Sequence, residues 1–137
     1  MLIATFNCNS VRARLNAVLA WLELHQPDVL ALQETKCADD QFPRAAFEEA
    51  GWHVAFRGEK RYNGVAMVTR QAPDEVTFGL GDDDGESATR LALARMGDLW
   101  VLNTYVPQGY ALETDRFAFK LQWFERLRKL LEQRFDP

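Results

Sequence analysis

The sequence predicts one domain of the α/β class, and three observations carry that prediction. Short apolar runs of strand length bracket an amphipathic helical segment near the N-terminus, a series of short strands punctuated by turn residues follows, and a long amphipathic segment closes the chain. No internal repeat, low-complexity tract or Gly/Ser-rich linker divides these elements, so they read as one unit over 1–137.

Leu2–Phe6 is a short run in which Ile3, Thr5 and Phe6 favour a strand, and Asn7, Asn9 and Ser10 break it. Ser10 is placed to cap the helix that follows, where Val11, Leu15, Val18, Leu19 and Leu22 recur at the spacing of one helical face before Pro27. Val29–Leu32 is continuously apolar, as a strand covered on both faces would be. The first three elements therefore read as a βαβ unit, with Gln33 and Glu34 at the carboxyl end of its second strand. Pro43 opens a short helix that runs to Ala50 and is stopped by Gly51. Trp52–Arg57, Val65–Arg70, Glu75–Leu80, Ala88–Met96 and Leu99–Val106 read as an antiparallel meander, with Asn63-Gly64 and Gly97-Asp98 as turns. In the closing helix Phe117, Leu121, Phe124, Leu127, Leu131 and Phe135 fall on one face, leaving Arg126, Arg128, Lys129 and Glu132 for water.

Several of these strands are apolar on both faces: Val65 and Met67 alternate with Ala66 and Val68, and Leu91 and Leu93 with Ala92 and Ala94. A sheet of that kind must be covered twice, and two substantial helices with one short one cover a single face. The expectation is a bare sheet face that another layer, a missing C-terminal half of the domain or self-association covers.

A chain of 137 residues, 47% hydrophobic, is long enough to bury a core without disulfides or structural zinc. Cys8 and Cys37, with no C-x-x-C and only two histidines, exclude the usual zinc spacings and fit reduced thiols in a cytosol-like compartment, most simply as buried, inert groups. No apolar run approaches the ~18 residues of a membrane helix and no secretion signal opens the chain, so a soluble cytoplasmic protein with no membrane partner is expected. The net charge of -4 speaks against a nucleic-acid partner until it is divided: Asp74, Glu75, Asp82, Asp83, Asp84 and Glu86 supply six acids in one base-free stretch, leaving 14 acids against 16 bases elsewhere. An anion-facing surface is compatible with that distribution. The Asp82–Glu86 run lacks the closing Glu of a calcium loop, Leu standing at position 93, and reads as solvated.

Chemistry is expected at the strand ends, where ligands of open α/β sheets bind. Asn7 ends the first strand and Glu34 the second, so an amide and a carboxylate meet at one rim, and a single carboxylate suits magnesium, which binds through one or two carboxylates plus phosphate and water. Taken singly, each is an ordinary strand-end residue.

Together the strings are far more specific. Thr5-Phe6-Asn7-Cys8-Asn9-Ser10, then Gln26-Pro27-Asp28 through Gln33-Glu34-Thr35-Lys36, then Tyr62-Asn63-Gly64-Val65-Ala66, then Asn103-Thr104-Tyr105-Val106-Pro107-Gln108-Gly109 occur in that order. The sequence resembles the exonuclease III family of abasic-site endonucleases, within the endonuclease/exonuclease/phosphatase superfamily, over essentially its whole length. The resemblance implies a DNase I-like α/β sandwich of four layers, of which this chain would hold about one sheet-plus-helices half. It implies magnesium-dependent DNA phosphodiester hydrolysis, with manganese able to replace magnesium, on double-stranded DNA at an abasic site or a 3′ end. Glu34 matches the family's metal ligand, Asn7 the asparagine beside it, and Tyr105 the tyrosine on the scissile phosphate, where a phenol can donate as charge builds. Arg57, Lys60, Arg61, Tyr62 and Asn63 match a loop that approaches DNA, and Gln108, Gly109 and Lys120 lie near the tyrosine motif as phosphate or sugar contacts.

The family's downstream Gly-Asp-x-Asn and Ser-Asp-His motifs have no match here, so its general-base aspartate and catalytic histidine are missing. The expectation is the N-terminal half of such an enzyme, nearly inactive by itself, with Asp136-Pro137 leading out of the last helix in extended form. A non-catalytic DNA-binding or regulatory module, and a small-phosphoester hydrolase of the same superfamily, are the alternatives.

Overall fold

The computed structural model describes residues 1–82 and 85–135. Strand β1 (Ile3–Asn7), helix α1 (Val11–His25) and strand β2 (Val29–Gln33) form the expected βαβ unit, the strands parallel with Ile3 opposite Val29 and Asn7 opposite Gln33. Ser10 caps α1, its hydroxyl accepting from Ala13 N at 3.3 Å. A 3₁₀ turn at Asp39–Gln41 and helix α2 (Arg44–Glu49) lead to strands β3 (His53–Arg57) and β4 (Val65–Thr69). Strand β5 (Glu75–Phe78), helix α3 (Gly85–Ala88), strands β6 (Leu91–Met96) and β7 (Leu99–Thr104) and helix α4 (Asp115–Arg134) complete the order.

The later strands do not make one meander. β4 inserts antiparallel between β2 and β3, giving a mixed sheet in the order β1-β2-β4-β3, while β5, β6 and β7 form a separate antiparallel sheet. The sheets pack face to face through Val29, Ala31, Val65 and Met67 on one side and Ala92, Ala94 and Val101 on the other. Helices α1 and α2 cover the outer face of the first sheet, with Val18, Leu22 and Phe47 against Leu30, Leu32 and Val68. Helix α4 covers the outer face of the second, with Trp123, Leu127 and Leu130 against Leu91, Leu93 and Trp100.

This arrangement corrects the bare-face expectation and the one-sheet half. Strands apolar on both faces are central to a sandwich: each meets helices on one side and the other sheet on the other, and every residue of β2 and β4 is buried. The chain forms four layers, helices on sheet on sheet on helix, not one sheet with its helices. What stays open is an edge, where β1 leaves Ile3 46% and Phe6 43% exposed.

The stripe expected on the last helix is also rotated. Trp123, fully buried, sets the inward face of α4, while Leu121 and Phe124 point outward. The acidic stretch is more than a solvated loop: part of it is α3, Asp82 pairs with Arg126, Glu75 with Arg134, and Glu86 with Arg90 and Arg116. Those acids therefore take up cations of α4 and Arg90 just before β6, so the basic surplus reckoned without them overstates what is open to an anion. Asp83, Asp84 and the Asp136-Pro137 exit lie outside the described residues. No helix among the described residues is long and apolar enough to cross a membrane.

Candidate active site

Five connecting segments meet beyond the carboxyl ends of β1 and β2, stitched by main-chain hydrogen bonds. Cys8 N donates to Gln33 O at 2.9 Å, Ser10 N to Glu34 O at 2.8 Å, Lys36 N to Asn63 O at 3.0 Å, Gly64 N to Thr89 O at 2.8 Å, and Tyr105 N to Arg90 O at 2.7 Å. The rim holds uncommon backbone: Asn9, Ser10, Glu34, Lys36, Arg61 and Asn63 all have positive φ, a strain kept only where surrounding structure fixes it. Gly64 shows how closely the loops approach, because a Cβ there, at φ +95°, would stand 1.9 Å from Thr35 Oγ1.

The floor beneath is polar and buried. Asn103 of β7 reaches across the sandwich, its Nδ2 donating to Leu32 O at 2.9 Å and Ala66 O at 3.0 Å while its Oδ1 accepts from Gln33 Nε2 at 2.8 Å. Gln33 also donates to Thr5 Oγ1 at 2.9 Å. One buried network thus ties β1, β2, β4 and β7 together under the rim.

Glu34 is the centre of the site. Asn7 Nδ2 donates to its Oε1 at 2.8 Å, Lys36 Nζ lies 3.1 Å from its Oε2, and the Tyr105 phenol is near enough to interact electrostatically with the same carboxylate. Partial burial works to raise the Glu34 pKa, but the neighbours Asn7, Lys36 and Tyr105 and the Lys36 charge outweigh it, so the carboxyl titrates below its ordinary range. Tyr105 moves the other way: burial first, then its interaction with Glu34 and that carboxylate's charge, raise the phenol's pKa against the opposing Arg90. At neutral pH the rim therefore presents a carboxylate beside a phenol that keeps its proton. Burial raises the Cys8 thiol to about 11, and its Sγ donates to Gln33 O, so it packs as an inert group.

An ionised, partly exposed carboxylate with a carboxamide beside it fits a hard divalent cation. Among the described residues no three His, Cys, Asp or Glu side chains lie close enough to hold a metal by themselves. Magnesium's habit of taking one or two carboxylates and completing its shell with water and phosphate suits such a donor set.

Tyr105 also faces a polar cleft of about 430 Å³ shared with Tyr62, Asn63, Gln108 and Arg116. Under its ring lies Arg90, 4% exposed, with its guanidinium 4.9 Å from the ring centroid and Nη2 2.7 Å from Glu86 Oε1.

The sequence profile of the Endonuclease/Exonuclease/phosphatase family matches residues 4–133. The chain belongs to that family. It is 38% identical to exodeoxyribonuclease III of Haemophilus influenzae over 99% of its own length and 53% of that enzyme's. Among solved structures it resembles an AP endonuclease from Archaeoglobus fulgidus, at 45% identity and a TM-score of 0.92, covering 99% of this chain and 53% of that one. It also resembles NExo, a 3′ phosphatase from Neisseria solved bound to a product DNA hairpin, at 41% identity and 0.92, covering 97% and 52%. The chain spans about half the length of these relatives. The DNase I-like sandwich expected of the family is the fold observed.

Within that family frame the residues expected at the site divide. Asn7, Glu34 and Tyr105 converge, and Tyr62, Asn63 and Gln108 line the adjoining cleft. Lys60 and Arg61 are exposed at the tip of the loop from β3 to β4. Arg57 turns aside, its Nε 4.0 Å from Asp39 and its guanidinium over Phe78. Gly109 is buried, since a Cβ there would meet Lys120 Cδ at 3.1 Å and Phe117 Cδ2 at 3.2 Å; the Lys120 stem lies against that backbone instead of lining the cleft. Sequence reasoning passed over Lys36, two positions beyond Glu34, and Arg90 and Arg116, whose closeness to Tyr105 depends on how two sheets stack.

Proposed function

We propose that this chain is the N-terminal half of a metal-dependent DNA phosphodiesterase of base-excision repair, acting at abasic sites or 3′ ends. The observation that carries the reading is the convergence of Asn7, Lys36 and Tyr105 on the Glu34 carboxylate. Glu34 would hold magnesium, or manganese in its place, with Asn7 fixing the carboxylate's orientation. The cation, when bound, supplies charge stabilisation to a phosphate under attack. Tyr105 keeps its proton at neutral pH and donates to a phosphoryl oxygen whose charge grows in the transition state. Lys36 offers a second positive group at the same rim. Tyr62, Asn63, Lys60 and Arg61, from the loop between β3 and β4, would meet the DNA beside it.

Among the described residues the two histidines, His25 on α1 and His53 on β3, are not among the groups that act on Glu34. We therefore read the 137-residue chain as able to bind DNA but nearly inactive alone, with the remaining chemistry on the half of the domain that the longer relatives carry. The relatives' names favour a repair nuclease over a small-phosphoester hydrolase. A magnesium titration followed by NMR tests the metal site: the Asn7, Glu34 and Tyr105 signals should move together, and Glu34→Gln should abolish the change. Perturbation elsewhere with these signals unmoved would overturn the assignment.

A further inference from the structure

Strand β1 ends the first sheet, and among the described residues no strand pairs with its outer edge. Asp28 N and Val29 N donate to Leu2 O at 2.8 and 3.2 Å, and Cys8 N donates to Gln33 O at 2.9 Å, so Leu2, Ala4 and Phe6 turn their main chain toward β2. Alternation along the strand then leaves the N–H and C=O groups of Ile3, Thr5 and Asn7 facing out. Edges that stay single are blunted by charges, prolines or bulges. This one is not: from Met1 to Ser10 the sequence has no charged side chain, no proline and no glycine, and β1 runs in unbroken register with β2. Leu2, Ile3 and Phe6 are 50%, 46% and 43% exposed. Beside the edge an apolar groove of about 360 Å³ opens between β1 and α1, lined by Ala4, Phe6, Ala17 and Trp21. The small side chains of Ala4 and Ala17 leave that room.

We propose that β1 pairs with β1 of a second copy of this chain, antiparallel about a two-fold axis at Ala4, joining two four-stranded sheets into one continuous sheet. Self-complementarity favours a copy over an unrelated strand. With Ala4 opposite Ala4, Ile3 falls opposite Thr5, and their outward main-chain groups exchange N–H···O=C bonds on both sides of the axis. Leu2 then falls opposite Phe6 on the α1 side, an apolar cross-strand pair that closes the groove. Charge agrees with this pairing. The ionised groups flanking the two ends of β1 are matched within each chain, Asp28 with Arg70 at 3.9 Å and Glu34 with Lys36 at 3.1 Å, so an antiparallel copy sets one compensated pair against another. Two copies also bring together about as much polypeptide as one of the longer relatives holds. The pairing is independent of the metal chemistry read at Glu34.

The test is sedimentation velocity of the 137-residue chain over a range of concentrations. The expected result is a concentration-dependent shift from monomer to dimer. Ile3→Pro removes an outward N–H and leaves the ladder to β2 intact, and Ile3→Lys places a charge on the edge; each should be monomeric where the parent is dimeric, with unchanged circular dichroism. Cross-linking reads the register. A non-hydrogen-bonded antiparallel pair has its Cα atoms about 4.5 Å apart, within the span of a disulfide. Ala4→Cys should therefore form a covalent dimer with oxidised glutathione, and Leu24→Cys, on an exposed position of α1, should not. A parent chain that stays monomeric at every concentration would overturn the proposal, as would a dimer that survives both Ile3 variants or that Ala4→Cys fails to cross-link. A parent chain that associates only with a separately made C-terminal half of the Neisseria enzyme would overturn it too, and would give the edge to that half instead of to a second copy.

Discussion

Asn7 Nδ2 donates to Glu34 Oε1 at 2.8 Å across the ends of two parallel strands. Asn7 lies opposite Gln33, and the chain turns to positive φ at Glu34, so the carboxylate leaves the strand and folds back over the rim. Removing the amide leaves the carboxylate without that orienting donor. Asn7→Ala should weaken manganese binding by about tenfold or more, the usual cost of losing a partner that orients a metal ligand. Electron paramagnetic resonance of free manganese measures it directly.

The two opposed pKa shifts fix the pH window of the site. Glu34 titrates below its ordinary range, so the stability its ionised form contributes is present above the unfolded-state value and is lost as pH falls through the lower folded value. Tyr105 titrates above its ordinary range, so its contribution is present below the unfolded-state value and is lost as pH rises through the higher folded one. Both groups should hold their working states across neutral pH. A carbon-detected titration of the Glu34 carboxyl should give a midpoint below that of an exposed glutamate, and Asn7→Ala should raise it. The tyrosinate absorbance of the late-titrating residue should disappear in Tyr105→Phe.

Gly64 is where the loop from β3 to β4 touches the exit of β2. A methyl group there would meet Thr35 Oγ1 at 1.9 Å and would also have to adopt φ +95°. Gly64→Ala should destabilise the protein by about 3 kcal/mol, combining overpacking with left-handed backbone strain. Thr35→Ala should recover part of that loss in the double variant, a non-additivity expected for groups in contact. Urea denaturation of the four proteins checks both statements.

Asn103 is the polar bolt between the sheets, and it is 2% exposed. Asn103→Ala would leave Leu32 O and Ala66 O each short of a buried donor. Unsatisfied buried groups cost on the order of 1–3 kcal/mol each, so a loss of about 3 kcal/mol or more is expected in the same denaturation assay. Hydrogen exchange should quicken at β2 and β7 together, because one side chain holds both.

Local signals were read well from the sequence, and sheet partition was not. The α1 periodicity, the Ser10 cap and the placement of Asn7 and Glu34 at parallel strand ends follow from residues near in sequence, and all appear in the structure. Val65–Val68 and Leu91–Ala94 are apolar on alternate faces in the same way whether one sheet waits for cover or two sheets face each other, so composition alone could not separate these. The α4 stripe misled for a related reason: Trp123 outweighs Leu121 and Phe124 in choosing the buried face, and only the packed second sheet shows where it goes. Arg90 carries no mark in the sequence, because nothing in its neighbourhood there announces that Tyr105 and Glu86 enclose it.

The most direct test of the half-site is incision of an abasic-site duplex by the purified 137-residue chain with magnesium, alongside Glu34→Ala and a binding measurement on the same duplex. The expected result is salt-dependent binding by the parent chain with incision at the level of the metal-only control in both proteins. Robust turnover by the parent chain, abolished by Glu34→Ala, would contradict it, because Glu34, Asn7 and Tyr105 would then suffice for chemistry that we assign in part to the other half of the domain.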